Sequence, residues 1–200
     1  MAAEPLAARV APLKSQDIDA VIQLARSIWY AHYPTIISIE QIEYMLGQRY
    51  NAEVINAQIA SGRSWWDTLI FADEIVGFAA YELTDDPGEL KDDPGDLTDD
   101  PGALKDDPGE LKLDKLYVRY DLRGRGFGSL LMRHVEQRAL QLGCLSVYLQ
   151  VNKHNSSAIE MYKRNGFVVR EAAQFDIGNG FVMDDYLMAK PVTNDLGAGA

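Results

Sequence analysis

Between residues 84 and 112 the tetrapeptide Asp-Asp-Pro-Gly recurs four times, once every seven residues. A period of seven invites a coiled coil, but a Pro-Gly pair in every copy rules out a continuous helix. Proline lacks the N–H, and its ring clashes with the preceding turn. Proline followed by glycine suits the two central positions of a type II turn. Each copy offers one leucine among mostly polar and charged side chains, too little apolar surface to offset the entropy of ordering the segment. Residues 84–112 are therefore expected to form an expanded acidic loop, with a stacked-turn hairpin as the ordered alternative. The aspartates are hard oxygen donors, yet the alternating spacing of an EF-hand calcium loop is absent. The fold must come from residues 1–83 and 113–192, expected to make one domain interrupted by the repeat, with residues 191–200 as a flexible tail.

The repeat also distorts the charge. The chain has 30 Asp and Glu against 19 Lys and Arg, a net charge of −11. Residues 84–112 contribute −8 of this, from 11 acids and 3 lysines, so the remainder carries only −3. An acidic balance disfavours nucleic acid as a partner. No apolar run approaches the ~18 residues that span a bilayer, and the start lacks a signal peptide's basic-then-apolar pattern, so no membrane partner is expected. Cys144 alone allows no internal disulfide and suits a reducing, cytoplasmic setting. Three scattered histidines beside that cysteine give no zinc spacing, and no metal is expected.

Hydrophobic periodicity outlines the rest. A short strand is expected at 9–13, then a helix over 15–30 capped by Ser15, with apolar residues at Ile18, Val21, Ile22, Ala25 and Ile28. Helices follow at 39–46 and 51–60, and strands at 65–72 and 75–83 around an Asp73-Glu74 turn. Beyond the repeat come a strand at 113–118, a strong amphipathic helix at 124–142 and an apolar strand at 144–151. A helix at 156–165 lies between an Asn155 N-cap and a Gly166 stop, and a hairpin of 167–175 and 181–189 closes the chain. The class is α+β.

The chemistry gathers at Arg123-Gly124-Arg125-Gly126-Phe127-Gly128-Ser129, between the 113–118 strand and the long helix. Glycines on alternate positions let a ligand approach the backbone. Amides opening a helix, with two arginines beside them, suit a pyrophosphate. A Walker loop would need Gly-Lys-Ser/Thr, which is missing. A dinucleotide fingerprint would need different glycine spacing and an acid ending the next strand, which instead ends Gln150-Val151-Asn152. A glycine loop that merely turns tightly is the structural alternative.

Arg123-x-x-Gly126-x-Gly128, preceded by Leu116-Tyr117-Val118, resembles the cofactor signature of the GNAT superfamily of acyl-CoA-dependent N-acetyltransferases. Asn155 to Phe167, with Tyr162 within it, resembles that superfamily's second motif. Order and spacing agree over residues 8–190. Tyr44-Met45-Leu46, Phe175-x-Ile-Gly178 and Asp185-x-x-Met188-Ala189-Lys190 are similar to bacterial spermidine/spermine acetyltransferases. The repeat has no counterpart there. The resemblance implies a mixed sheet of six to seven strands flanked by four to five helices, the insertion falling between the third and fourth strands. It implies acetyl-CoA as cosubstrate, its pyrophosphate on the amides of residues 123–129 and its pantetheine along Tyr117 and Val118. Asn155 would contact the pantetheine arm, and Tyr162 would protonate the leaving thiolate. A small amine is the expected partner, and a homodimer is left open.

The reaction sets further demands. An amine of lysine-like pKa ~10.4 must lose a proton before attacking, at a cost of about 4.6 kcal/mol at pH 7. Asp114, on the cofactor strand, and Glu82, ending the strand before it, are the candidate bases, Asp114 first; each also reads as a surface strand acid. The resemblance assigns the Val118 amide as the donor to the developing oxyanion. Tyrosine, with a reference pKa of ~10, keeps its proton at neutral pH, which suits Tyr162 as acid; a core aromatic is the alternative. Trp29, Tyr30, Tyr33 and Tyr44 could hold a cationic amine or simply pack. Cys144 and His134 read as structural.

Overall fold

The computed structural model describes residues 7–84 and 109–193. Most of the repeat and the end of the expected tail lie outside these residues. Among the described residues there are seven strands and five α-helices: β1 (Arg9–Pro12), α1 (Ile18–His32), α2 (Ile39–Arg49), α3 (Ala52–Ala60), β2 (Ser64–Phe71), β3 (Glu74–Leu83), β4 (Glu110–Val118), α4 (Phe127–Gln141), β5 (Ser146–Asn152), α5 (Ser156–Arg164), β6 (Val168–Asp176) and β7 (Val182–Pro191). The strands follow the order β1-β2-β3-β4-β5-β7-β6. The chain groups into two compact units, Met1–Glu82 with Leu113–Val135, and Leu83–Lys112 with Glu136–Ala200.

In the first unit β1-β2-β3 is an antiparallel meander, Val10 facing Leu69 and Trp66 facing Ala80. The α1 stripe Ile18, Val21, Ala25, Ile28 is buried with Ile42 and Leu46 of α2. Gly77 of β3 has a local reason to be glycine, because a Cβ there would stand 2.6 Å from the Tyr117 carbonyl oxygen of β4. In the second unit β7 pairs antiparallel with β5 and β6, and Val147, Leu149, Leu187 and Met188 form the core with Ile159 of α5 and Phe167.

Several expectations shift in detail. Ser15 does not cap α1: residues 15–17 form a 3-10 turn, and the Asp17 that precedes the helix makes no side-chain cap bond. The β2–β3 turn is Ala72-Asp73, both at positive φ, so the two-residue hairpin sits one position earlier than its charged residues suggest. The long helix begins at Phe127, because Gly124 and Gly126 sit at φ +78° and +83° outside helical space. The fourth strand starts at Glu110, inside the last repeat copy, where Leu111 is fully buried. The Asn155 cap and the Gly166 stop at φ +90° stand as read.

The ends of the insertion meet. Thr84 Oγ1 donates to the Glu110 carbonyl at 3.3 Å, and a Cβ on Gly109 would lie 3.2 Å from the Thr84 carbonyl oxygen. Glu110 is gripped from β6 by both terminal nitrogens of Arg170, at 2.7 and 2.5 Å, and also accepts a bond from Ser146.

Candidate active site

In the first unit the glycine loop leaves β4 through a 3-10 turn at residues 120–122 and enters α4. The first intrahelical bond runs from Leu130 N–H to the Gly126 carbonyl at 3.0 Å, so the amides of Phe127, Gly128 and Ser129 precede any such partner. Side chains built at Gly124 or Gly126 would meet nothing within 4 Å, so open space lies over these backbone groups. Phe127 packs on Phe71 at 5.2 Å and secures the start of the helix. Arg123 and Arg125 are exposed. This is an anion cradle by geometry and charge: three amides at the positive end of a 15-residue helix, with guanidiniums beside them. It fits the pyrophosphate of a coenzyme.

Behind the loop, Tyr117 of β4 joins an aromatic cluster. Its ring lies 5.4 Å from Phe78 and 6.3 Å from Trp29, and its hydroxyl is 3.2 Å from that of Tyr33. Val118, which follows, is buried. The cluster already contains a cation that the sequence reading missed. Lys115 is 4% exposed, its ammonium 4.9 Å from the Trp66 ring and 5.5 Å from Tyr50. Asp114 is ion-paired to Lys115, and Arg49 lies 3.9 Å from its carboxylate. Burial first, then the charge of Asp114, holds the Tyr50 phenol protonated well above its ordinary range. A lysine flanked by a strand acid carries no one-dimensional signal of burial; only the meeting of α2, β2 and β4 encloses it. Glu82 accepts a bond from the Ser64 hydroxyl at 3.4 Å.

The first unit also holds a buried carboxylate absent from the sequence reading. Asp67 of β2 is 4% exposed and lies within hydrogen-bond reach of the Tyr81 hydroxyl (2.5 Å) and His134 Nε2 (2.8 Å). His134 thus ties α4 to β2.

In the second unit the C-terminal end of β5 leads into α5. Asn152 Oδ1 accepts from the His154 amide at 3.0 Å, and Asn155 Oδ1 accepts from the Ala158 amide at 3.4 Å. Asn152, Asn155 and Asp185 are all buried, and Asp185 of β7 faces Asn152 across the ladder. Tyr162 is 8% exposed, with its ring 5.8 Å from Phe167. Cys144 is buried, which pushes its thiol up, as befits a small hydrophobe. The unit-1 residues Asp114, Tyr117, Val118 and 123–129 thus gather on β4 and the loop after it, while Asn155 and Tyr162 gather on α5. No cluster of three or more metal-binding side chains is present among the described residues, and no described helix is long and apolar enough to cross a membrane.

Comparison with known proteins gives this geometry a family. Residues 18–167 match the acetyltransferase (GNAT) family. The chain is 25% identical over 176 residues to a spermidine N(1)-acetyltransferase of Thermoplasma acidophilum, covering 86% of this chain and 92% of that one. Its fold is similar to the PaiA N-acetyltransferase of the same organism, solved in complex with coenzyme A, with a TM-score of 0.69 at 20% identity over 93% of this chain and 99% of that one. It is also similar to a ribosomal-protein alanine N-acetyltransferase from Escherichia coli, with a TM-score of 0.60 at 16% identity over 94% and 95% of the two chains. With a family match spanning most of the chain and a sheet order and fold shared with solved acetyltransferases, the protein belongs to the GNAT family of acetyltransferases.

Proposed function

We propose that the protein transfers the acetyl group of acetyl-CoA to a primary amine of a small molecule, a polyamine first, by direct attack in a ternary complex. The observation that carries this reading is the glycine loop: positive φ at Gly124 and Gly126, open space above them and three amides at the head of α4. The amides of residues 123–129, foremost those of Phe127, Gly128 and Ser129, hold the pyrophosphate, with the Arg123 and Arg125 side chains adding charge. Tyr117 and Val118 line the pantetheine, and the Val118 amide donates to the carbonyl oxygen as negative charge develops there. Asn155 steadies the pantetheine arm. A carboxylate, Asp114 or Glu82, takes the amine proton. The amine nitrogen then forms the new C–N bond, the C–S bond breaks, and the Tyr162 hydroxyl protonates the leaving thiolate.

The likeness to a spermidine acetyltransferase over 86% of the chain supports a polyamine acceptor. A second reading, acetylation of a protein N-terminus or lysine, draws support from the shared fold of the ribosomal-protein enzyme. A non-catalytic acyl-CoA sensor is the third. Free-thiol release from acetyl-CoA, measured with polyamines, monoamines and N-terminal peptides, separates them. Turnover fastest with spermidine or spermine is expected. Turnover confined to peptides favours the second reading, and tight coenzyme A binding without turnover on any amine favours the third.

A further inference from the structure

Two guanidiniums of the glycine loop, Arg123 and Arg125, meet no carboxylate among the described residues, and Arg123 alone is held by side chains of other elements. Arg123 has no carboxylate partner among the described residues. Two uncharged rings hold its guanidinium instead: Cζ lies 5.0 Å from the Tyr120 ring centroid, and Nη1 lies 3.3 Å from Nδ1 of His32. Arginine has only donors, so in this bond the guanidinium donates and the imidazole accepts. The bond uses the His32 tautomer with its lone pair on Nδ1 and its proton on Nε2.

The placement of His32 follows from where α1 stops. His32 is the last residue of that helix, and the Tyr33–Thr35 turn with Pro34 ends it there. The His32 ring meets Tyr33 edge-on at 5.0 Å, and the Tyr33 hydroxyl reaches Tyr117 of β4 at 3.2 Å. The imidazole is thus buttressed from the strand side and offers its lone pair to the loop side. An exposed arginine otherwise samples many rotamers, and a ligand that uses it must bear the cost of ordering it. A guanidinium already held by neutral groups keeps its full charge for an anion and is ordered beforehand.

We propose that His32 is a positioning residue for Arg123, its Nδ1 lone pair holding the guanidinium ready for the pyrophosphate of coenzyme A. The inference rests on the reading of the glycine loop given above, and the test separates the two. Coenzyme A affinity is measured by calorimetry, with KM and kcat for acetyl-CoA alongside, on variants whose melting matches wild type. His32→Leu, which removes the acceptor, is expected to weaken coenzyme A binding about tenfold, the scale of one hydrogen bond to a charged group, and to raise KM with kcat unchanged. His32→Asn, whose Oδ1 sits near the Nδ1 position, is expected to restore binding to within about threefold, which a packing role would not do. In an Arg123→Gln background, His32→Leu should have no further effect, because its action runs through Arg123. Wild-type affinity in His32→Leu, or the same loss in both backgrounds, overturns the proposal. If Arg123→Gln and Gly126→Asp both bind coenzyme A normally, the reading of the loop fails instead. Should His32→Leu not fold, His32→Gln, which lacks an acceptor at the Nδ1 position, is the replacement and is judged by the same outcomes.

Discussion

A phenol on α5 and a glycine on the loop make the most direct tests at the residue scale. Tyr162→Phe removes one hydroxyl from a side chain that is 8% exposed, so fold and coenzyme A affinity should persist. Turnover is expected to fall by about 10²- to 10⁴-fold, the range of a lost acid–base group. Unchanged turnover in an assay limited by chemistry would return Tyr162 to a packing role. Gly126→Asp should be harsher on binding. It forces a side chain onto a residue at φ +83° and projects a carboxylate into the open space over the amides. Calorimetry on the folded variant is expected to show coenzyme A binding largely lost. Candidates of this kind stand out in a sequence because each sits in a local pattern: glycines at alternate positions, an Asn cap, a tyrosine in a helix before a glycine stop. Lys115, Asp67 and His32 do not, because each acquires its meaning from a partner on another element. Lys115 is caged by Tyr50 and Trp66, Asp67 is met by His134, and His32 is met by Arg123 from 91 residues away.

Among the elements, β4 is the one that several constraints share. Gly77→Ala would drive a methyl group to 2.6 Å from the Tyr117 carbonyl, and that atom is backbone. β3 and β4 must separate locally, so a loss of about 1–3 kcal/mol is expected, the usual cost of overpacking. Chemical denaturation checks the stability and calorimetry checks whether coenzyme A affinity falls with it. The insertion is expected to be separable from the fold. Its ends are already joined through Thr84 and Glu110, and loop-closure entropy grows slowly with length. Replacing residues 85–108 by a short glycine-containing turn should leave melting and coenzyme A affinity near wild type. A variant that aggregates or loses coenzyme A binding would show that the repeat contributes to the fold. The Pro-Gly period argues against a continuous helix in the repeat. It did not reveal that Glu110-Leu111-Lys112 belongs to β4, because a strand start depends on neighbours: Arg170 and Ser146 on Glu110, and a core around Leu111.

Across the molecule, acid stability should register the Glu110 ion pair. Arg170 foremost, with Ser146 assisting, holds the Glu110 carboxyl below the ordinary glutamate range despite some burial. A carboxyl depressed in the folded state stabilises fully above its unfolded pKa of ~4.3, and that stabilisation is lost as pH falls through the lower folded value. The stability difference between wild type and Glu110→Gln should therefore stay constant from neutral pH down to about 5 and shrink below about 4. Equal differences at pH 7 and pH 3 would remove Glu110 from the acid response. By itself the sequence determined the α+β class, the order of the elements and the glycine loop that opens α4. These are written in periodicity and in residues whose backbone needs are local, such as proline, glycine and a capping asparagine. Tertiary structure alone decided which charges are buried and which rings hold them, where β4 begins, and that Arg123 meets His32 and Tyr120. Burial and charge pairing are properties of distant residues brought together, and no window of one chain segment contains them.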